Sequence, residues 1–238
     1  MRLNAFIAKA GLCARRKAVA YIKEGRVCVG GRVVREPWHE VKEDAHVTVD
    51  GKDVGSQREA YLAFNKPKGV TVTLEDRFAS RKIIDMIPKR YGRIYPVGRL
   101  DKDSRGLILL TTDGDLCHRL THPRFEIEKE YAVSVDSAVT EDQLEQVRRG
   151  IADKGDVLNV RSCKIVRSAG GVTELEVIAA EGKKRHLRRI FKKLGLNVID
   201  LRRVRIGGLK LDALGEGKFR ELDRETVYDL TLGKGVSK

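Results

Sequence analysis

The sequence has no apolar run that approaches the ~20 residues of a membrane-spanning helix, so a membrane is not the expected partner. Its first residues, MRLNAFIAKAG, lack the long apolar stretch of a secretory signal. Cysteine is scarce: Cys13, Cys28, Cys117 and Cys163 are widely scattered and form no CxxC pair. That spacing argues against a zinc site or a disulfide framework and fits a reducing compartment. We therefore expect a cytoplasmic protein.

Motifs that bind nucleotide cofactors are also missing. Neither the phosphate-binding pattern GxxxxGK[ST] nor the dinucleotide pattern GxGxxG occurs. His118 and His122 are four residues apart, as in a zinc-protease helix, but Arg119 stands where that motif has glutamate. The sequence predicts neither a metal site nor a cofactor.

Positive charge is what the sequence has in excess. It contains 48 Lys and Arg residues against 34 Asp and Glu, a formal charge of +14, and its pI is near 9.7. Such a balance favours an anionic partner, and nucleic acid is the leading candidate. The excess is uneven, because residues 181–210 hold eleven basic side chains and two acidic ones.

The densest part of this segment is a predicted amphipathic helix that Gly195 ends, with an apolar stripe formed by Leu187, Ile190, Phe191 and Leu194. A charged helix face is usually just solvated. Without acidic partners at helical spacing, however, these cations repel one another and need an external anion. We predict that RNA phosphates contact this face, through Lys183, Lys184, Arg189, Lys192 and Lys193.

Residues 1–55 are predicted to form a small α/β domain with a linker, ahead of a second domain over residues 56–238. Apolar spacing predicts one helix that ends at Gly11 and a second helix from about Arg15 to Lys23. A hairpin turning at Gly30-Gly31 and a further strand over residues 47–49 follow. The polar stretch 51–58 is predicted to be the linker.

This arrangement resembles the small RNA-binding domain first recognised in a ribosomal small-subunit protein. The resemblance covers residues 2–49 and rests on RLNAFIAKAG, ARRKAVAYIKEGRV and VGGRVV. It implies that the basic helix docks on RNA phosphates, with contacts from Arg15, Arg16, Lys17, Lys23 and Arg26. The family commonly has Ser or Thr before the paired basic residues. Here Ala14 lacks that hydroxyl cap, whose loss typically costs ~1 kcal/mol of helix stability.

The second region is predicted to be α+β. Strands are expected over residues 61–64, 70–73 and 107–110, with a turn at 65–69 and a short helix capped by Ser80 that ends before Pro88. Thr140 and Gln143 form a capping box ahead of another helix. Strands and helices do not alternate regularly, which disfavours a doubly wound parallel sheet.

The most informative stretch is GRLDKDSRGLILLTTDGD, residues 98–115, in which Asp101 precedes an apolar strand. On residue types alone, Asp101 is a turn aspartate in a surface ion pair. The stretch resembles the signature of the bacterial ribosomal pseudouridine synthases, however. Four further segments agree in order and spacing, namely LAFNKPKGV (62–70), HPRFEIEKEYAV (122–133), EGKKRHLRRIFKKLG (181–195) and LRRVRIGGLKL (201–211).

The resemblance implies a catalytic domain with a mainly antiparallel, mixed sheet flanked by helices. It also implies residue roles. Asp101 would be the catalytic aspartate, Tyr131 would pack against the target base, and Arg188 would pair with Asp101. Leu187 would line the uridine pocket, and Arg99 would help to hold the nucleotide out of its helix. Arg185 and Lys66 complete the predicted substrate-binding set. From residue types alone, Tyr131 is an ordinary core tyrosine and Leu187 an ordinary stripe residue.

The implied chemistry is consistent with the missing cofactor motifs. Isomerisation moves the ribose from a ring nitrogen of uracil to a ring carbon, so nothing is oxidised and no group is imported. It needs an ionised carboxylate, as a nucleophile or as a proton acceptor, and the sequence leaves both routes open. A neighbouring arginine opposes the rise in pKa that burial causes. The base must first leave its stack, and phosphate contacts and aromatic stacking offset the free energy that unstacking requires.

We therefore expect a monomeric, cofactor-free pseudouridine synthase that acts on structured RNA, with ribosomal RNA the leading candidate. The alternative is a non-enzymatic, ribosome-associated RNA-binding or assembly protein in which Asp101 is structural. An RNA methyltransferase is disfavoured, because the Gly-rich loop that binds its cofactor is missing.

Overall fold

The N-terminal unit is a pair of helices packed on a small antiparallel sheet. In the computed structural model, which describes residues 1–74, 76 and 78–233, the helices are α1 (Leu3–Lys9) and α2 (Arg15–Lys23). The strands pair in the order β2-β1-β3-β4 and are β1 (Val27–Val29), β2 (Arg32–Val33), β3 (Val47–Val49) and β4 (Lys52–Asp53). The unit has its own core, which includes Leu3, Ile7, Ala18, Ile22, Val27 and Val47.

Most of the local predictions for this unit are confirmed. Helix α2 has the predicted bounds, and Ala14 at its N-cap makes no side-chain cap hydrogen bond. The hairpin turns at Gly30 and Gly31, both with positive φ. The predicted linker 51–58 is wrong in its first part, because Lys52 and Asp53 pair with β3. After the turn at residues 50–51, β4 adds one more strand to the sheet before the chain leaves the unit.

The rest of the described chain is built on one nine-stranded sheet. Its main path is β11-β12-β8-β13-β7-β5-β15, with β14 beside β13 and β6 beside β7. The strands are β5 (Tyr61–Lys66), β6 (Tyr95–Pro96), β7 (Arg105–Thr111), β8 (Lys129–Val135), β11 (Ser162–Ala169), β12 (Val172–Ala179), β13 (Val198–Ile206), β14 (Leu209–Lys210) and β15 (Phe219–Leu222). A separate hairpin joins β9 (Ile151–Asp153) and β10 (Asp156–Leu158). Among the pairs of this sheet in the described part of the chain, only β13 and β7 run parallel.

Helices cover both faces of this sheet. On one face, α4 (Glu141–Arg149) and α5 (His186–Lys193) pack on β8, β12 and β13, and apolar side chains of residues 70–72 and 83–100 pack on β5 and β7. We call this the front face. On the back face, α3 (Gly114–Thr121) and α6 (Arg224–Leu232) cover β5 and β7. Tyr131 packs against both front-face cores, so it marks the junction between the two halves.

The mixed, mainly antiparallel architecture is therefore confirmed. The capping box of Thr140 and Gln143 begins α4 as predicted. The predicted strand 70–73 is wrong, because only Thr71 forms a bridge, to Lys82. Lys82 is extended at that bridge, so the short 3₁₀ helix Ile83–Met86 starts after Lys82 and Ser80 does not cap it. None of the helices within residues 1–74, 76 and 78–233 is long and apolar enough to cross a membrane.

Candidate active site and RNA-facing surfaces

Asp101 lies on the loop 97–104, which connects β6 to β7 on the front face. Gly98 turns the chain at φ +75°, and Leu100 anchors the loop in the core. Ser104 closes the loop by donating its backbone N–H to the Asp101 carbonyl at 3.0 Å. The Asp101 side chain is half-buried, and its carboxylate has no hydrogen bond or ion pair with any described residue. The loop thus presents an unpaired carboxylate.

Lys66 supports this loop from beneath. Its side chain is fully buried, and Nζ donates to the carbonyls of Ser104 at 2.7 Å and of Pro67 at 2.9 Å. Burial lowers the pKa of Lys66 to about 8, although the charges of Asp103 and Asp101 oppose that shift. The predicted substrate contact is corrected here, because a side chain with no exposed surface holds the loop and does not touch a ligand.

Arg188 contacts the same loop but does not pair with Asp101. Its guanidinium lies 3.3 Å from the Asp103 carboxylate, and it also donates to the carbonyls of Asp103 at 3.1 Å and Val198 at 2.9 Å. Arg185 donates two further bonds to Asp103, at 3.2 and 3.3 Å. The predicted partner is therefore wrong by two residues: Asp103 points to helix α5, and Asp101 remains unpaired.

Asp103 thus joins the loop to α5. Burial raises the pKa of its carboxyl, but the hydrogen bonds from Arg185 and the charge of Arg188 outweigh it and hold that pKa below its usual range. On the other side of the loop, Gly69 donates its N–H to the Lys102 carbonyl at 2.8 Å. Lys102 and Asp103, the two residues that follow Asp101, are therefore held by separate parts of the fold.

The other predicted site residues differ in accessibility. Tyr131 on β8 is half-buried at the junction of the two front-face cores. Leu187 is 5% exposed and belongs to the core under α5, so it is mainly a packing residue here. Arg99 is exposed and has no partner among the described residues. Their roles toward a nucleotide stay predictions.

The cationic face of α5 has acidic partners that its own sequence does not contain. Arg189 donates to Asp153 at 2.6 Å and to Asp156 at 3.0 Å, and Lys193 lies 3.4 Å from Asp153. Lys183 lies 3.6 Å from Asp156 and 3.7 Å from Glu181. The premise that these cations lack acidic partners is therefore wrong for Lys183, Arg189 and Lys193, which pair mainly with the β9–β10 hairpin, and their contact with RNA stays a prediction. Lys184 and Lys192 remain exposed and unpaired within the described residues.

The N-terminal basic residues divide in the same way. Arg15, Arg16, Lys17 and Lys23 are exposed. Arg26 is paired with Asp50 at 2.6 Å and Glu24 at 3.2 Å, and it lies over the ring of Tyr21 at 4.0 Å. The paired Arg26 braces its own unit, while the other four leave free charge at the surface.

Three residues near the loop were not among the predicted candidates. Asp103 carries the contact to α5, and the cations Lys129 and Arg203 lie on β8 and β13. Asp103 stands within the quoted motif, so its charge was visible there. The position of Lys129 and Arg203 depends on strand register, which their local sequence does not reveal.

Comparison with known proteins adds independent findings. Residues 60–193 match the family described as RNA pseudouridylate synthase, and residues 1–47 match the S4 domain. An uncharacterized RNA pseudouridine synthase of Aquifex aeolicus (strain VF5) is 37% identical over 233 residues, which are 97% of this chain and 96% of that protein. Ribosomal large subunit pseudouridine synthase B of Bacillus subtilis (strain 168) is 35% identical over 96% of this chain and 95% of its own length.

Two further relatives agree. The dual-specificity RNA pseudouridine synthase RluF of Escherichia coli (strain K12) is 35% identical over 97% of this chain and 78% of its own length. A crystal structure of a pseudouridylate synthase superposes with a TM-score of 0.70 at 26% identity, covering 97% of this chain and all of that one. The similarity therefore extends across both units.

Proposed function

This chain belongs to the RNA pseudouridylate synthase family and isomerises uridine in RNA to pseudouridine, and on that premise we propose that Asp101 is its catalytic carboxylate and ribosomal RNA its substrate. The observation that carries the first part is the Asp101 carboxylate, which is unpaired among the described residues, on a loop whose backbone is held at residues 102–104. An ion-paired structural aspartate would have its partner in the resting protein, and Asp101 has none among the described residues.

The loop contacts support a carboxylate that is ready to react. Lys66, Gly69 and Arg188 fix the backbone at residues 102–104 from three directions. Such preorganisation leaves little of the loop to be ordered when the substrate binds. Asp101 then either attacks the ribose carbon or accepts a proton from the sugar, because an ionised carboxylate serves both routes.

Tyr131 is the proposed surface for the displaced base. It lies at the junction of the two front-face cores, near the core that holds Leu100. An aromatic ring there stacks on a base that has left its helix, and this contact offsets part of the free energy that unstacking requires. Arg99, exposed and unpaired within the described residues, is the proposed contact on the RNA side of the loop.

The test of the catalytic proposal is Asp101→Asn. Asparagine keeps the size and hydrogen-bonding capacity of aspartate but removes the charge, so it is neither a useful nucleophile nor a useful base. We expect no detectable pseudouridine in a single-turnover assay on target RNA, with RNA affinity by filter binding within about twofold, because cations elsewhere carry most of the binding.

Asp103→Asn is the matched comparison, two residues away on the same loop. It weakens the contact to Arg185 and Arg188 but leaves the Asp101 carboxylate intact, so we expect a slower enzyme that still converts its substrate. Near wild-type conversion by Asp101→Asn would refute the catalytic proposal, whatever the binding curve shows.

The substrate proposal rests on the Bacillus subtilis relative, which is named for the ribosomal large subunit, and on the free cations of both units. We propose that Arg15, Arg16, Lys17 and Lys23 contact phosphates together with Lys184 and Lys192. The protein would act in the cytoplasm as a monomer, and its four free cysteines fit that compartment. Mapping pseudouridine in ribosomal RNA from cells with and without the protein tests this, and an unchanged map would refute it.

A further inference from the structure

Among the described residues, Arg203 is a buried cation without an acidic partner. Its side chain is 3% exposed, and Nε donates to the Leu107 carbonyl at 2.7 Å. The Nη2 atom is buried and has no hydrogen-bond partner, and no carboxylate of the described residues lies within 4.0 Å of the guanidinium. An arginine in the interior is normally paired, because removing its charge from water is unfavourable. The lack of an acidic partner for Arg203 within the described residues therefore calls for a functional explanation.

The strand register puts Arg203 at the site. Arg203 stands opposite Tyr131 on β8 and opposite Gly106 on β7. Gly106 follows the loop that bears Asp101 by two residues. Side chains of a strand alternate between faces, so Arg203 shares the front face with Leu201 of the core under α5. Its neighbour Arg202 lies on the back face.

Two further cations lie around Arg203. Its charge lowers the pKa of both Lys66 and Lys129, after burial as the main cause, to about 8 in each case. Lys129 is half-buried and donates to the Ile127 carbonyl at 2.6 Å. We call Lys66, Lys129 and Arg203 the buried cation group. The acids whose negative charge raises the pKa of Lys66 are Asp103, Asp101 and Glu216.

Of these acids, Asp103 is neutralised by Arg185 and Arg188, and Glu216 by Arg105 at 2.8 Å. Asp101 is the one without an ion pair in the described part of the chain. The buried cation group thus places positive charge beside the loop that bears Asp101, where Lys66 donates to the Ser104 carbonyl. Fixed charges aimed at charge that develops during a reaction stabilise it without reorganisation.

The reaction, on the proposed function, generates an anion there. The bond between C1′ and N1 breaks, and its electron pair leaves with uracil, which becomes an anion delocalised over ring nitrogen and carbonyl oxygens. Asp101 compensates for the electron pair that C1′ loses, either by bonding to C1′ or by taking a proton from the sugar. A new bond from C5 to C1′ then displaces Asp101 from C1′ or, on the second route, forms as Asp101 returns its proton to the sugar. The C5 proton is lost and N1 gains one, so the product is an isomer.

We propose that Arg203, with Lys66 and Lys129 beside it, supplies the fixed positive potential that stabilises the uracil anion while the base is detached. Arg203 is not a contact residue, since its guanidinium is buried. It acts across the site by its charge, and its unpaired state is what keeps that charge available to the base.

The experiment compares two leaving groups. Single-turnover rates are measured on a transcript of the ribosomal RNA segment that loses its pseudouridine in cells without the protein, with uridine or 5-fluorouridine at the target. Loss of the target nucleoside is followed by nuclease digestion and chromatography. Fluorine withdraws electrons, so 5-fluorouracil leaves more readily and needs less stabilisation. Arg203→Gln should slow the uridine substrate roughly 10- to 100-fold, and the fluorinated substrate by a clearly smaller factor.

Three variants keep the test decisive. Arg203→Lys retains the charge and should recover part of the rate. Arg202→Gln, next in the chain but on the back face, should stay within about twofold of wild type on both substrates. Should Arg203→Gln fail to fold, Lys129→Gln takes its place, with the same difference between substrates at smaller size.

Equal slowing of the two substrates by Arg203→Gln, or by Lys129→Gln in its place, would overturn the inference, because a purely structural defect does not depend on the leaving group. A wild-type protein inactive on both transcripts would instead refute the proposed function. The two failures are therefore distinguishable.

Discussion

Gly106 shows how closely a single residue governs the site. At this position, with φ +103°, a Cβ atom would lie 2.3 Å from the Arg203 carbonyl oxygen and 2.7 Å from its nitrogen. Both are backbone atoms and cannot rotate away. The absence of a side chain lets β7 approach β13, and this approach puts the backbone of Arg203 beside the strand that follows the Asp101 loop.

Gly106→Ala should therefore be severely destabilising, by at least ~3 kcal/mol, since steric overlap with backbone adds to the strain of the positive φ. Gly171→Ala is the matched control: Gly171 also has a positive φ, +75°, but a Cβ atom added there would meet nothing within 4 Å. That change should cost only ~1 kcal/mol. Thermal and urea unfolding of both variants measure the difference, and equal destabilisation would contradict the packing explanation.

At the residue scale, the sequence identified the residues of the site better than it identified the groups that each of them contacts. The GRLD segment was found from its motif, and the loop does present Asp101 as a free carboxylate. Arg188 was assigned to the wrong aspartate, and Lys66 to the wrong kind of contact. Both errors have one cause: an ion pair or a buried ammonium depends on atoms far away in the chain, such as Arg188 and Asp103, which local spacing does not determine.

Elements were predictable where the signal was local. Helix α2, the capping box of α4 and the apolar stripe of α5 are each encoded within a few residues, and all three are confirmed. The segment 70–73 has the composition of a strand, but a strand also requires a paired neighbour, and the pairing here is a single bridge from Thr71 to Lys82. The acidic partners of α5 were missed for the same reason, because they come from the β9–β10 hairpin.

Those partners divide the basic residues of α5 into two classes with different expected behaviour. Lys184→Ala with Lys192→Ala removes unpaired cations, so we expect unchanged stability and a flatter salt dependence of RNA binding. The slope of log K against log[salt] should fall by about 0.7–0.9 for each phosphate that is no longer neutralised. Arg189→Ala breaks the pairs with Asp153 and Asp156 and should instead lower stability, with little change in slope.

Salt titrations by filter binding, alongside thermal unfolding, separate the two classes. An unchanged slope in the double variant would remove this helix face from the RNA interface. A flattened slope in Arg189→Ala would mean that RNA displaces Asp153 and Asp156 from the arginine, and the division into two classes would then be incorrect.

At the scale of the molecule, family and fold class followed from several motifs in the right order, and both are confirmed by the matches over residues 1–47 and 60–193. The proposed domain boundary near residue 55 is supported by separate cores on either side of it. Between them, Gln57 donates to the Tyr91 carbonyl at 2.7 Å, and its side chain lies against Gly11 and Gly92. Only spatial proximity reveals this contact.

Removal of residues 1–55 should leave a folded catalytic unit with weaker RNA binding. The remaining cores contain no residue from the N-terminal unit, so their packing survives the truncation, whereas the cations of α2 are removed. Circular dichroism and filter binding at one fixed salt concentration check the two parts. An unfolded remainder would show that the boundary is misplaced.

Seven residues separate the end of β4 from the start of β5, and they span at most about 25 Å. Once either unit engages an RNA, the other is confined to a small volume around it, at an effective concentration in the ~mM range. Two individually weak contacts then give a long-lived complex, yet each releases on its own. A short connector of this kind lets the enzyme hold a large RNA during the reaction and still dissociate stepwise from the product.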